Sequence, residues 1–175
     1  MRAVIYNVVK EALESLLEDG QPVIKHIDLF NRQVEFAEEE QPFLTPAVFV
    51  EFAAIDWQKQ LHGVRDAVVT VRLHVVTDTR VGKWADVVPR LCLCDEINRV
   101  LHGLHAVVQG IGVEAIEQNF SVSRNTEYRQ NDRPCSVMND LTLLRSTTDH
   151  DFGELADNVE EYQCLVTDAS AYERF

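Results

Sequence analysis

Six histidines punctuate this 175-residue chain, and they are its most direct offer of acid–base or metal chemistry. His102 and His105 sit three residues apart near the end of a predicted helix, a spacing that can hold a metal ion. The better reading is electrostatic, because a histidine at a helix C-terminus interacts favourably with the helix dipole. Asp149-His150-Asp151 offers ligands or a proton-transfer site. With no apolar frame around it, this run reads instead as a solvated acidic linker. His74 falls on the more polar face of a predicted strand, where it could serve as a general base. No nucleophile or carboxylate lies at a recognisable spacing from it.

The remaining chemistry-bearing residues give no signature. Ser121, Ser123 and Ser136 lie in predicted strands without a nucleophile elbow. Gly110-Ile111-Gly112 is a turn, since no third glycine and no helix follow it. Asn119-Phe120-Ser121 matches a glycosylation acceptor, which matters only in a secreted chain. Cys92 and Cys94 are two apart on a predicted helix and point to different faces. No matching pair completes a zinc site with them, and with Cys135 and Cys164 they read as reduced, mostly buried thiols. Trp57, Trp84, Phe49 and Phe52 could line a ligand pocket, but core packing is their commoner use. The sequence therefore predicts no catalytic residue, no cofactor and no metal.

The elements that position these residues follow from periodicity. Residues 3–19 carry Ile5, Val8, Val9, Ala12, Leu13, Leu16 and Leu17 on one face of a helix, with Gly20 as its cap and Pro22 as its stop. Residues 23–30 read as a weak strand, and 31–46 as a long loop containing Glu38-Glu39-Glu40, Pro42 and Pro46. Residues 47–57 are apolar on both faces, so that strand needs cover on both sides. In residues 64–77, Ala67, Val69, Val71, Leu73 and Val75 alternate with more polar positions. These two strands should form an antiparallel hairpin. A second helix begins at Asp86 as N-cap, with Pro89 in its first turn and a stripe of Val87, Val88, Leu91, Cys94, Ile97, Leu101 and Leu104. Residues 113–128 and 135–147 read as another strand pair.

The prediction is thus an α+β domain over residues 1–147, in the order α-β-β-β-α-β-β. Its antiparallel sheet has four to five strands, with both helices packed on one face. Residues 148–175 read as an acidic C-terminal tail or arm.

The formal charge is −13, and residues 149–175 hold eight acids against one base, or −7 of it. Phosphate backbones repel such a surface, which argues against nucleic-acid binding. No apolar run approaches a membrane span, and the N-terminal Met1-Arg2-Ala3-Val4-Ile5 leads into a helix pattern rather than a signal-peptide core. A cytoplasmic location is the expectation.

Three stretches carry a family resemblance: Pro42 through Val50 as a proline-led entry into a long strand, Val69 through Asp78 as the second strand, and Val88 through Leu104 as the helix that follows. Their order over residues 1–147 resembles the small tail-terminator and tail-completion (minor tail) proteins of long-tailed bacteriophages and prophages. The resemblance implies a non-enzymatic subunit that assembles with itself into a ring, commonly a hexamer, at the tail end or head–tail junction. Its partners would be tail or head–tail connector proteins. It would be cytoplasmic during assembly and then part of the virion. On this basis the 31–46 loop is expected to contact a neighbouring copy. Phe36 and Phe43 would act as apolar anchors, and Glu38, Glu39 and Glu40 would meet Arg72 or Arg80. The competing readings are a monomeric or dimeric protein-binding module and a small enzyme whose site carries no recognised motif.

Overall fold

The computed structural model describes residues 2–34, 43–53, 55–59, 65–80, 82–104, 106–109, 135–146, 150–151 and 155–168. Helix α1 (Arg2–Glu14) buries Ile5, Val9 and Leu13, one per turn. It stops earlier than the apolar pattern implies. Leu17–Glu18 (β1) and Gln21–Pro22 (β2) instead form a two-residue hairpin. Asp19 (φ 51°) and Gly20 (φ 75°) both take the left-handed conformation at its tip. Asp-Gly is a strong signal for such a turn, and here it outweighs the helix-cap reading of Gly20.

Strand β3 (His26–Leu29) pairs in parallel with β4 (Ala47–Phe52). The all-antiparallel expectation is corrected at this pair. A parallel neighbour needs a long crossover, and residues 30–46 supply it. β4 and its continuation β5 (Asp56–Lys59) pair antiparallel with β6 (Arg65–Asp78), as the alternation predicted. A 3-10 turn over Gly82–Ala85 leads into α2 (Val87–Leu101), with Asp86 at the N-cap. Then come β7 (Ala106–Gln109), β8 (Cys135–Ser146), β9 (His150–Asp151) and β10 (Leu155–Asp168). β7 falls where a turn was expected, and the strand expected over 113–128 lies outside the described residues.

Among the described residues the sheet has eight strands, in the order β3-β4-β6-β10-β8-β7, with β5 beside β6 and β9 beside β10. It is therefore mixed and larger than the four to five strands expected. The acidic arm predicted over 148–175 is corrected for residues 155–168, which form the strand between β6 and β8. Asp157, Glu160 and Glu161 hide the signal. In an extended chain, however, Tyr162, Cys164 and Val166 share one face and are fully buried there.

Both helices cover one face of the sheet. Ile5, Val9 and Leu13 of α1 and Leu93, Ile97 and Leu101 of α2 join Val48, Val50, Val69, Val71, Leu73 and Val75 in one core. On the other face Ala47, Phe49 and Val76 pack with Val34, Phe30, Phe43 and Leu155. Burial of β4 on both faces is thus met, by the helices on one side and the ends of the crossover on the other. The stripe of α2 is rotated from the one expected. Arg90, Leu93, Cys94, Ile97 and Leu101 are buried, while Val87, Val88 and Leu91 are exposed. Arg90 takes a core-facing place because its guanidinium donates to the carbonyls of Trp84 (2.9 Å) and Ala85 (3.2 Å), tying the 3-10 turn to the helix. Among the described residues no helix is long and apolar enough to cross a membrane.

Candidate functional site

The densest set of ionisable side chains lies on the sheet face away from the helices. Register places Glu51 of β4 opposite Arg72 of β6, and Arg72 opposite Glu161 of β10, in one row across three strands. Arg72 Nε donates to Glu161 Oε2 at 2.7 Å, and Nη1 to Glu51 Oε2 at 3.3 Å. The bond to Glu161 is the main reason the guanidinium stays above its ordinary value, against partial desolvation. One row along, His74 Nδ1 lies 2.7 Å from Asp157 Oδ2, and Nε2 lies 3.5 Å from Glu51 Oε2. The Phe30 ring stacks on the imidazole with centroids 3.7 Å apart and planes 3° from parallel.

A histidine fixed by a carboxylate can act as a general base if its other nitrogen faces a proton to remove. Here the other nitrogen faces Glu51, the ring face is covered by Phe30, and the residue is buried. The cluster is built as a frame of mutually paired charges, with Asp157 Oδ1 its one buried oxygen without a partner among the described residues. Sequence reasoning singled out His74 and Arg72 but missed Glu51, Asp157 and Glu161. Two signals pointed to them. Glu51 is a lone charge in an apolar strand, and Asp157 and Glu161 are four apart, on one face of an extended chain.

The other candidates scatter. His102 caps α2, its N–H donating to Asn98 O at 2.8 Å, as the dipole reading places it. His105, Asp149, Asn119, Ser121, Ser123, Gly110 and Gly112 lie outside the described residues, and Ser136 is in β8. Cys92 is exposed and Cys94 buried, on opposite sides of α2. Among the described residues no three His, Cys, Asp or Glu side chains gather as a metal site. Phe49 is buried in the small cluster on the face away from the helices, while Phe52 and Trp84 pack against the helix-side core. Trp57 is more exposed, with the Arg65 guanidinium 5.1 Å from its ring centroid.

Of the expected interface residues, Phe36, Glu38, Glu39 and Glu40 lie outside the described residues. Phe43 packs within the chain, edge-on to Phe49 (5.0 Å) and stacked near His26 (6.1 Å). Arg72 is engaged as above. Arg80 Nη2 bonds Asp78 Oδ2 at 2.8 Å, which holds the Asp78 carboxyl below its usual range.

Two surfaces complete the description. The outer edge of β3 is occupied by side chains. Phe30 N–H donates inward to Val50 O, so Ile27 and Leu29 face outward. Tyr6 OH donates to Ile27 O (3.3 Å), Leu29 N–H to Asp28 Oδ1 (2.7 Å), and Gln33 Nε2 to Leu29 O (2.7 Å). Such capping blocks strand addition at a sheet edge. On the helix side, an open groove of about 430 Å³ runs between the β1–β2 hairpin and α2, floored by Leu16, Val23, Trp84, Pro89 and Leu93.

No family model matches this chain, and no curated protein matches it.

Proposed function

We propose that this protein is a structural subunit that works by self-association and protein binding, of the kind seen in the phage tail-terminator and tail-completion proteins it resembles. The observation that supports this reading is the state of the histidine best placed for chemistry. His74 is held by Asp157, faced by Glu51 and covered by Phe30. That arrangement suits a rigid frame better than a proton shuttle, which must exchange its proton with a substrate.

In this reading the 31–46 crossover is an arm with both ends fixed to the sheet, by Phe30 and Val34 at one end and Phe43 at the other. Phe36 and Glu38-Glu39-Glu40, carried between those anchors in the chain, would meet the next copy. Arg72 and Arg80 would join such a contact by exchanging Glu161 and Asp78 for a neighbour's carboxylate. They would then set register more than affinity. The assembly would be a ring at a tail end or head–tail junction, built in the cytoplasm and retained in the virion. The charge of −13 turns such a surface toward basic proteins rather than nucleic acid.

Light scattering on the full-length protein across a concentration series tests the reading. A defined mass several-fold that of the monomer is expected. A protein that stays monomeric at the highest attainable concentration overturns it.

A further inference from the structure

We propose that His74, Asp157 and His150 form a binding site for one divalent transition-metal ion of the zinc type. The site is independent of the self-association reading and gives the charged face of the sheet a ligand.

Strand pairing brings these residues together from three parts of the chain. Asp157 of β10 lies opposite Val76 of β6 in one pairing and opposite His150 of β9 in the other. Residues directly opposite in an antiparallel pair share a face, with Cβ atoms about 4.5–5.5 Å apart. His150 therefore holds the register position beside the carboxylate that already lies 2.7 Å from His74 Nδ1. Along the sequence, neither His74 nor the run Asp149-His150-Asp151 has a further ligand at metal-binding spacing. The sheet sets both histidines at one carboxylate.

Two observations point to a metal ion there. Asp157 is only 4% exposed, yet its Oδ1 has no hydrogen-bond partner among the described residues. A buried carboxylate half unpaired is costly, and a bound cation removes that cost. His74, in turn, is held as a metal-ligating histidine is held. Nδ1 faces the carboxylate, while Nε2 lies 3.5 Å from Glu51 Oε2, and Arg72 Nη1 donates to that same oxygen at 3.3 Å. A carboxylate behind a ligating imidazole fixes its tautomer and orientation. The Phe30 ring, stacked on His74, fixes the plane. The distance between the donors also fits, because metal bonds of about 2.0–2.2 Å set neighbouring ligand atoms about 3 Å apart. Two imidazoles and one carboxylate suit zinc and its neighbours, whereas magnesium and calcium take oxygen ligands.

Equilibrium dialysis of the full-length protein against Zn²⁺, with elemental analysis, tests the site, and thermal unfolding checks that each variant is folded. Wild type should bind zinc at one ion per chain. His150→Ala and Asp157→Asn should each weaken that binding by about a hundredfold or more, and Glu51→Gln, which leaves the ligands in place, by about tenfold. His102→Ala should bind as wild type does. Should Asp157→Asn fail to fold, His150→Ala decides the matter, since it leaves the His74–Asp157 pair intact. A wild type that binds no stoichiometric zinc overturns the site. So does a folded His150→Ala protein that binds zinc as tightly as wild type. Co²⁺ loaded in place of zinc should show no thiolate charge-transfer absorption. Such absorption would place the ion on the cysteines and also overturn the assignment. The mass of the protein in solution has no bearing on these outcomes, so the self-association reading stands or falls separately.

Discussion

Strand β6 shows its two faces to two different environments. On the helix side, Val69, Val71, Leu73 and Val75 are almost completely buried in the main apolar core, with the buried Glu160 and Asn158 of β10 set opposite Leu73 and Val75. On the other side, Arg72 and His74 meet Glu51, Asp157 and Glu161, and only beyond them does a small apolar cluster around Phe49 and Val76 close. The first face is stabilised by removing surface from water, without regard to direction. The second depends on bonds made at particular distances. Its stability contribution is the balance between desolvating charges and pairing them. The helix side thus supplies most of the folding free energy, and the charged side fixes how β4, β6 and β10 lie against one another.

The largest expected effect lies on the apolar face. Leu73→Asp puts an unpaired charge among the helices at a cost of several kcal/mol, enough to unfold a domain of ordinary stability. Circular dichroism should show loss of cooperative structure. A soluble variant with a cooperative melt would mean that this face is not the core.

On the charged face, Asp157→Ala removes the closest partner of His74 and should cost about 2 kcal/mol in chemical denaturation. The combined His74→Leu and Asp157→Leu replacement should cost less than the single change, because no buried group is then left unmatched. A double variant less stable than Asp157→Ala would mean that the network stabilises the fold outright.

Alkali should act on the apolar side. Burial pushes the Cys164 thiol up to about 12 from 9.0 and raises the Tyr162 phenol as well. The folded chain holds these protons more tightly than the unfolded one, so their contribution is complete below pH 9 and is lost as pH rises toward 12. The melting temperature should fall over that range, and Cys164→Val should make the fall shallower. Identical slopes in the two proteins would rule out the thiol as a cause.

The smallest change should be Tyr162→Phe. Its hydroxyl is buried with no hydrogen-bond partner among the described residues, so removing it should leave stability unchanged or slightly raised. A loss above about 1 kcal/mol would reveal a bond to that oxygen.

Much of the apolar face was legible in the chain. Period-2 alternation from Ala67 to Val75 and the helical spacing of Ile5, Val9 and Leu13 each specify a face from local geometry alone. β4 was legible too, because a strand apolar on both sides demands two covers. α2 was legible in extent but not in rotation. Apolar residues occur on more than one side of it, and the place of Arg90 depends on carbonyls that only the folded 3-10 turn brings within reach.

The charged cluster divides the same way. Sequence determined that Arg72 and His74 share a face of β6, that Asp157 and Glu161 would share one if extended, and that Glu51 interrupts an apolar strand. It could not determine that the three segments lie side by side, because Glu51 and Asp157 are more than a hundred residues apart in the chain and no local rule links them. Tertiary structure alone decided that Leu155–Asp168 enters the middle of the sheet. Its carboxylates read as a solvated arm when considered by themselves. They become tolerable in the interior only where a partner strand sets Arg72 beside Glu161 and His74 beside Asp157.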